Sequence, residues 1–176
     1  LYVFGSHDLE NGNEFCELDY VAWSAPTDDL SDWRYEGVIY RKDQDPYNTD
    51  FLPMYAPDVV RGRDGRYYLY YCVKFQDAIH VAVSDDPAGK YEFYGRVHYK
   101  DGRVMSDNQT YDPSVICSGE GNFLYFGFAP CMINIPRYKD QDLQGGSVLQ
   151  LEDDMLTVKE GPVVILPSLK YGKGTS

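Results

Sequence analysis

Basic residues are scarce in this chain: 16 Lys and Arg stand against 28 Asp and Glu, for a formal net charge of −12. Without a basic patch to displace phosphate counterions, nucleic acid and anionic membrane surfaces are excluded as partners, and solubility is the plain reason for the acidity. Long apolar runs are missing too, since no stretch approaches the ~20 residues of a membrane-spanning helix. The opening "LYVFGSHD" has neither a basic n-region nor a cleavage site, so no signal peptide is read there and a cytoplasmic location is expected. It reads instead as the middle of a β-element. Cysteine is limited to Cys16, Cys72, Cys117 and Cys131, with no C-x-x-C pair and with Cys72 inside an apolar run. Buried free thiols fit that pattern better than a disulfide or a zinc site. No segment keeps a helical period over a helix length, which leaves an all-β chain.

Tyr is abundant, with 17 in 176 residues, and its large apolar ring with a polar tip suits half-buried strands and sugar-binding clefts. Short runs rich in Val, Ile, Tyr and Phe, each bounded by Gly, Pro, Asp or Asn, predict strands at 1–6, 19–25, 34–41, 57–62, 66–73, 78–84, 91–99, 113–117, 122–128, 146–152 and 161–167. These strands repeat in groups of four. "APDVVRGRDGRYYLYYC" (56–72) aligns with "DPSVICSGEGNFLYFGF" (112–128) at an offset of about 56 residues, each running Pro, apolar strand, Gly turn, aromatic strand. "VAWSAPTDDLSDWRYEGVIYR" (21–41) likewise matches "VAVSDDPAGKYEFYGRVHYK" (81–100), and more weakly "VLQLEDDMLTVKEGPVVILP" (148–167). A four-stranded unit repeated at this spacing is the pattern of a β-propeller blade, and a sandwich would not produce the matched internal register. Three blades are legible, the first without its innermost strand. An open edge of that kind is unprotected, so the chain is expected to be a piece of a longer protein.

The stretches "YVFGSHD" (2–8), "DYVAWSAPTDDLSDWRYEGVIYRK" (19–42), "YAPDVVRGRDGRYYLYYCV" (55–73), "HVAVSDDPAGKYEFYG" (80–95), "YDPSV" (111–115) and "EDDMLTVKEGPVVILPS" (152–168) resemble glycoside hydrolase family 43 in order and spacing. The resemblance covers nearly the whole chain except the loop 131–145. It implies an all-β, five-bladed β-propeller of which about three four-stranded blades are present: the remainder of blade 1 at about 1–45, blade 2 at about 55–100 and blade 3 at about 111–168. It further implies a glycosidase of the arabinofuranosidase or β-xylosidase type, acting on arabinose- or xylose-containing oligosaccharides or polysaccharides with inversion. A non-catalytic, carbohydrate-binding propeller is the alternative, because fold alone does not decide function. No cofactor is implied, although a structural calcium at the axis of the complete propeller is compatible with the family, and no metal ligand is identified in this chain.

Inversion needs an acid and a base on opposite faces of the sugar, with room for one water. In the family an Asp of blade 1 is the base, a Glu of blade 4 is the acid, and an Asp of blade 3 orients the acid and keeps its pKa raised. A nearby anion disfavours ionisation of the acid, which therefore stays protonated. Asp112 in "YDPSV" matches that third carboxylate, while base and acid would lie outside residues 1–176. The equivalent of Asp112 in the preceding repeat is Ala56, so the turn itself does not require an Asp. The resemblance also marks Tyr55 as a platform for a sugar ring, with core packing as the alternative; Asp58 follows on the same strand with structural hydrogen bonding near the axis, and His7 stands at a strand end from which it can reach the pocket. Glu160 lies in the outer strand of blade 3 and is not read as the acid. Ser6, His7 and Asp8 are no triad, because strand neighbours point to opposite faces. "KDQDPYNTD" (42–50) alternates acids as a calcium loop does but lacks the Gly and distal Glu, so it reads as a solvated loop. The sequon Asn108-Gln109-Thr110 matters only on a secretory route.

Overall fold

The computed structural model describes residues 1–14, 16–106, 110–127 and 145–167. Cys131, Asn108 and Phe128 lie outside them. Among the described residues there are eleven strands and no α-helix: β1 (Tyr2–Ser6), β2 (Asp19–Ser24), β3 (Arg34–Arg41), β4 (Met54–Arg61), β5 (Tyr67–Val73), β6 (Ile79–Ser84), β7 (Glu92–Arg96), β8 (Ser114–Ser118), β9 (Gly121–Phe126), β10 (Gly145–Leu151) and β11 (Val158–Pro167). They form three antiparallel sheets ordered β1-β2-β3, β4-β5-β6-β7 and β8-β9-β10-β11. Within each sheet consecutive strands pair, and short turns join β4 to β5, β5 to β6 and β8 to β9.

The sequence patterns explain the layering. β5, "YYLYYCV", is a continuous apolar run because it is covered on both faces. Its even-numbered Tyr68 and Tyr70 join Val115, Leu124, Phe126, Leu149 and Leu151 of the third sheet in one core. Its odd-numbered Leu69, Tyr71 and Val73 join Tyr20, Ala22, Ile39 and Tyr40 of the first sheet in another. The middle sheet is thus packed between the other two. β10 instead alternates strictly between buried and half-buried positions, the period of a sheet with one dry face.

Among the described residues, the far faces of the two flanking sheets are apolar and exposed. On the first sheet, Val3, Trp23, Tyr35 and Val38 are exposed, with the Trp23 and Tyr35 rings 4.9 Å apart. On the third, Ile116, Tyr125, Val163 and Ile165 are exposed.

Three strand expectations are refined. β4 starts at Met54 rather than 57, because a bulge between Tyr55 and Asp58 accommodates Pro57, which has no N–H to give to a ladder. β7 ends at Arg96 rather than 99, since the chain then leaves its sheet: His98 pairs with both Val104 and Thr157 and ties the middle sheet to the third. β11 begins at Val158, ahead of the expected 161. Tyr70 joins the same two sheets, its buried hydroxyl donating to the Met155 carbonyl at 2.5 Å. Tyr70→Phe leaves that carbonyl unsatisfied, and chemical denaturation of the protein is expected to show a loss of about 1–3 kcal/mol.

Candidate functional site

The two aligned repeats meet at their strand heads. Ala56 has φ +48° and Asp112 has φ +51°, so positions 56 residues apart share a left-handed conformation that side-chain-bearing residues rarely adopt. At Ala56 the ladder passes from Tyr55 opposite Cys72 to Asp58 opposite Tyr70, one residue extra on β4. In the third sheet the kink at Asp112 comes just before β8.

Side chains from three elements hold this region. The Tyr55 carbonyl accepts from the Tyr20 hydroxyl at 3.2 Å and from the Cys72 thiol at 3.7 Å. Cys16 is delivered by the loop joining β1 to β2, which is pinned by the Cys16 N–H donating to Asp8 Oδ1 at 2.6 Å and the Met54 N–H donating to the Cys16 carbonyl at 3.3 Å. Lys74 and Glu14 form an ion pair across the same end.

Solvent reaches Asp112, but the packed atoms behind it desolvate its carboxyl and raise its pKa from the ordinary value. Burial pushes the Cys72 thiol up to about 12, and the charge of Asp112 adds to the effect. Burial, with the charges of Asp8 and Asp112, also raises the Cys16 thiol. Neither is a thiolate near neutral pH, so neither is a nucleophile. The expectation of buried free thiols holds fully only for Cys72; Cys16 and Cys117 are free but half-buried.

The structure therefore brings Asp112, Tyr55 and Ala56 together at one end of the sheets. Asp58 lies further along β4 and is half-buried; its Oδ2 accepts the Val115 N–H at 2.6 Å, stitching β4 to β8. His7, just past β1, is exposed and its Nδ1 sits 3.0 Å from Asp19 Oδ1. Its partner is Asp19, not Ser6 or Asp8. Glu160 is exposed in β11, the strand farthest from β8 in its sheet. Among the described residues no three of His, Cys, Asp or Glu are grouped as a metal site.

A second polar centre corrects the reading of 42–50 as a solvated loop. Asp45 and Asn48 turn inward and are buried, while their neighbours Asp43, Thr49 and Asp50 stay exposed. Asp45 Oδ2 lies 2.7 Å from His80 Nδ1 on β6 and accepts the Tyr71 hydroxyl at 2.8 Å; Oδ1 accepts the Tyr47 N–H at 2.8 Å. Tyr40 and Tyr71 hydroxyls are 2.9 Å apart. Burial alone would raise the Asp45 pKa, but the bond and charge of His80, with the Tyr47 N–H and the Tyr71 hydroxyl, outweigh it and hold the carboxyl below its ordinary value. Sequence reasoning misses His80 altogether, because nothing local to "AIHVAVS" points to a partner.

Three antiparallel sheets stacked face to face, two of them four-stranded, with an acidic residue at a kinked strand head, define the class to which this chain belongs: an all-β scaffold built of repeated sheets. The family model of glycosyl hydrolases family 43 matches residues 19–174, and the chain belongs to that family. A xylosidase/arabinosidase of Thermoclostridium stercorarium is 51% identical over 99% of this chain and 37% of its own length. A xylosidase/arabinosidase of Bacteroides ovatus is 32% identical over 72% of this chain and 39% of its own length. The chain therefore spans well under half the length of these relatives. Among solved structures, a family member from Xanthomonas citri in complex with xylose superimposes with a TM-score of 0.68 at 23% identity, covering 92% of this chain and 50% of that one, a likeness of fold.

Proposed function

We propose that this chain is the blade 1 to blade 3 portion of a five-bladed propeller (about 1–45, 55–100 and 111–168) in a glycosidase that cleaves arabinofuranosyl or xylosyl linkages with inversion. The observation that carries the reading is the matched pair of kinks, one holding Ala56 and the other a desolvated Asp112. Where the backbone is the same and only one repeat bears a carboxylate, the carboxylate answers to chemistry rather than to the turn. Two uncovered apolar faces support the presence of further sheets on either side. Asp112 orients and tunes an acid supplied from another blade, while Tyr55 and His7 contribute to the sugar pocket.

The test is hydrolysis of aryl α-L-arabinofuranosides and β-xylosides by the full-length protein, with the product anomer followed by NMR. Turnover with inverted product is expected, and the 176-residue chain alone should be inert because two of three carboxylates are missing. Retained configuration would overturn the mechanism. Saturable sugar binding without turnover by the full-length protein would make it a carbohydrate-binding propeller instead.

A further inference from the structure

β4 and β8 run in the same direction with their heads at one end. Asp58 holds the Val115 N–H near those heads, and at the far end the Arg63 guanidinium donates to the Ser118 carbonyl at 2.7 Å. The loop joining β1 to β2, the loop entering β4 and the turn leaving β5 all gather at the head end, since Met54 bonds to Cys16 and stands opposite Val73. Every described non-glycine residue with positive φ belongs to this end, except Met155 between β10 and β11. Two of them are phenylalanines. Phe51, at φ +52° before β4, is 57% exposed, and Phe75, at φ +66° after β5, is 56% exposed. A bulky side chain in the left-handed region is strained, and an aromatic ring left in water forgoes its burial. Gly would take either position without strain and with no ring exposed.

The surrounding bonds hold both residues in place. Buried Asn48 accepts the Leu52 N–H at 2.8 Å and donates through Nδ2 to the Leu52 carbonyl at 2.9 Å, and the Phe51 N–H donates to the Asn48 carbonyl at 3.2 Å. The Gln76 N–H closes the turn around Phe75 on the Val73 carbonyl at 3.0 Å. The two segments are then stitched together on either side of both phenylalanines. The Lys74 N–H donates to the Pro53 carbonyl at 3.0 Å, and Gln76 Nε2 donates to the Tyr47 carbonyl at 2.9 Å. The Lys74 ammonium, paired with Glu14, stands 5.0 Å from the centre of the Phe75 ring.

We propose that Phe51 and Phe75 form an aromatic platform for a neutral oligosaccharide, taking sugar units of the chain beyond the one held at Asp112. The inference rests on the reading of the Asp112 end as the end that binds carbohydrate. A sugar ring lays its apolar C–H face on an aromatic ring and keeps its hydroxyls at the rim, where Lys74 and Glu14 supply a donor and an acceptor. A net charge of −12 disfavours an anionic polysaccharide in the same place. Strain and exposure falling on the same two residues, beside the candidate site, are the mark of a function outside the fold.

The experiment uses the full-length protein and the ratio of kcat/KM on xylotetraose or arabinotetraose to kcat/KM on the matching aryl pentoside, a ratio independent of the folded fraction. Phe51→Ala and Phe75→Ala are each expected to lower that ratio about three- to tenfold, and Phe→Trp at either position should hold it near the wild-type value. Phe51→Gly and Phe75→Gly should lower the ratio equally while denaturing no earlier than wild type, because Gly relieves the left-handed strain. If the Ala and Gly variants keep the wild-type ratio, or lower both kcat/KM values alike, the rings are not a platform. If the Gly variants keep the ratio and unfold earlier, the rings pack against the rest of the protein and the proposal is overturned. If the wild-type protein hydrolyses neither the aryl pentosides nor the tetrasaccharides, the proposed function fails first and this inference goes with it.

Discussion

Asp112→Asn in the full-length protein is expected to lower kcat by about 10²-fold on substrates with poor leaving groups and far less on activated ones. The substitution removes a negative charge with little change of shape. The acid that this charge keeps protonated then ionises more readily, so the alkaline limb of the pH–rate profile should move to lower pH by about one unit or more. Substrates whose leaving groups need no proton bypass the acid and are spared. A general base would behave otherwise: turnover would fall for every leaving group and exogenous azide would restore it. That second pattern would reassign Asp112 and overturn the blade order. Stability supplies an independent check. The folded-state pKa of Asp112 is raised, so its burial costs nothing below the unfolded pKa and costs most above the folded one. At neutral pH the Asn variant should therefore be no less stable than wild type, separating loss of function from loss of fold.

The second large effect is on stability. Asp45→Ala removes the acceptor shared by the Tyr71 hydroxyl and the Tyr47 N–H together with the ion-pair partner of His80, leaving buried polar groups without a partner. Losing one member of a buried pair of this kind costs about 3–5 kcal/mol, read as a lower denaturant midpoint. The sign with pH follows from the depressed pKa of Asp45. Its contribution is fully present above the unfolded carboxylate pKa of about 3.9 and is lost as pH falls through the lower folded value. Wild type and variant should converge in stability at strongly acidic pH. A gap that stayed constant down to that range would show that the carboxylate charge is not what stabilises the loop.

The strands are legible in sequence because each apolar run is closed by turn residues, and for β3 the expected and observed ends coincide at Arg34 and Arg41. The kinks are legible indirectly. The 56-residue offset pairs Ala56 with Asp112 before any backbone angle is known. The Asp45 centre is not, since Lys42, Asp43 and Asp50 around it mark solvent, and the residue that draws Asp45 inward, His80, is 35 positions downstream on another strand.

β5 behaves as a party wall between two rooms. Neighbouring residues on it answer to different tenants, Leu69 to the first sheet and Tyr70 to the third. A substitution and its immediate neighbour can then be selected independently, one refitting the upstream joint and the other the downstream joint. In a scaffold made by copying one unit, that separation lets each joint drift to its own solution without a compromise being forced on the strand that serves both.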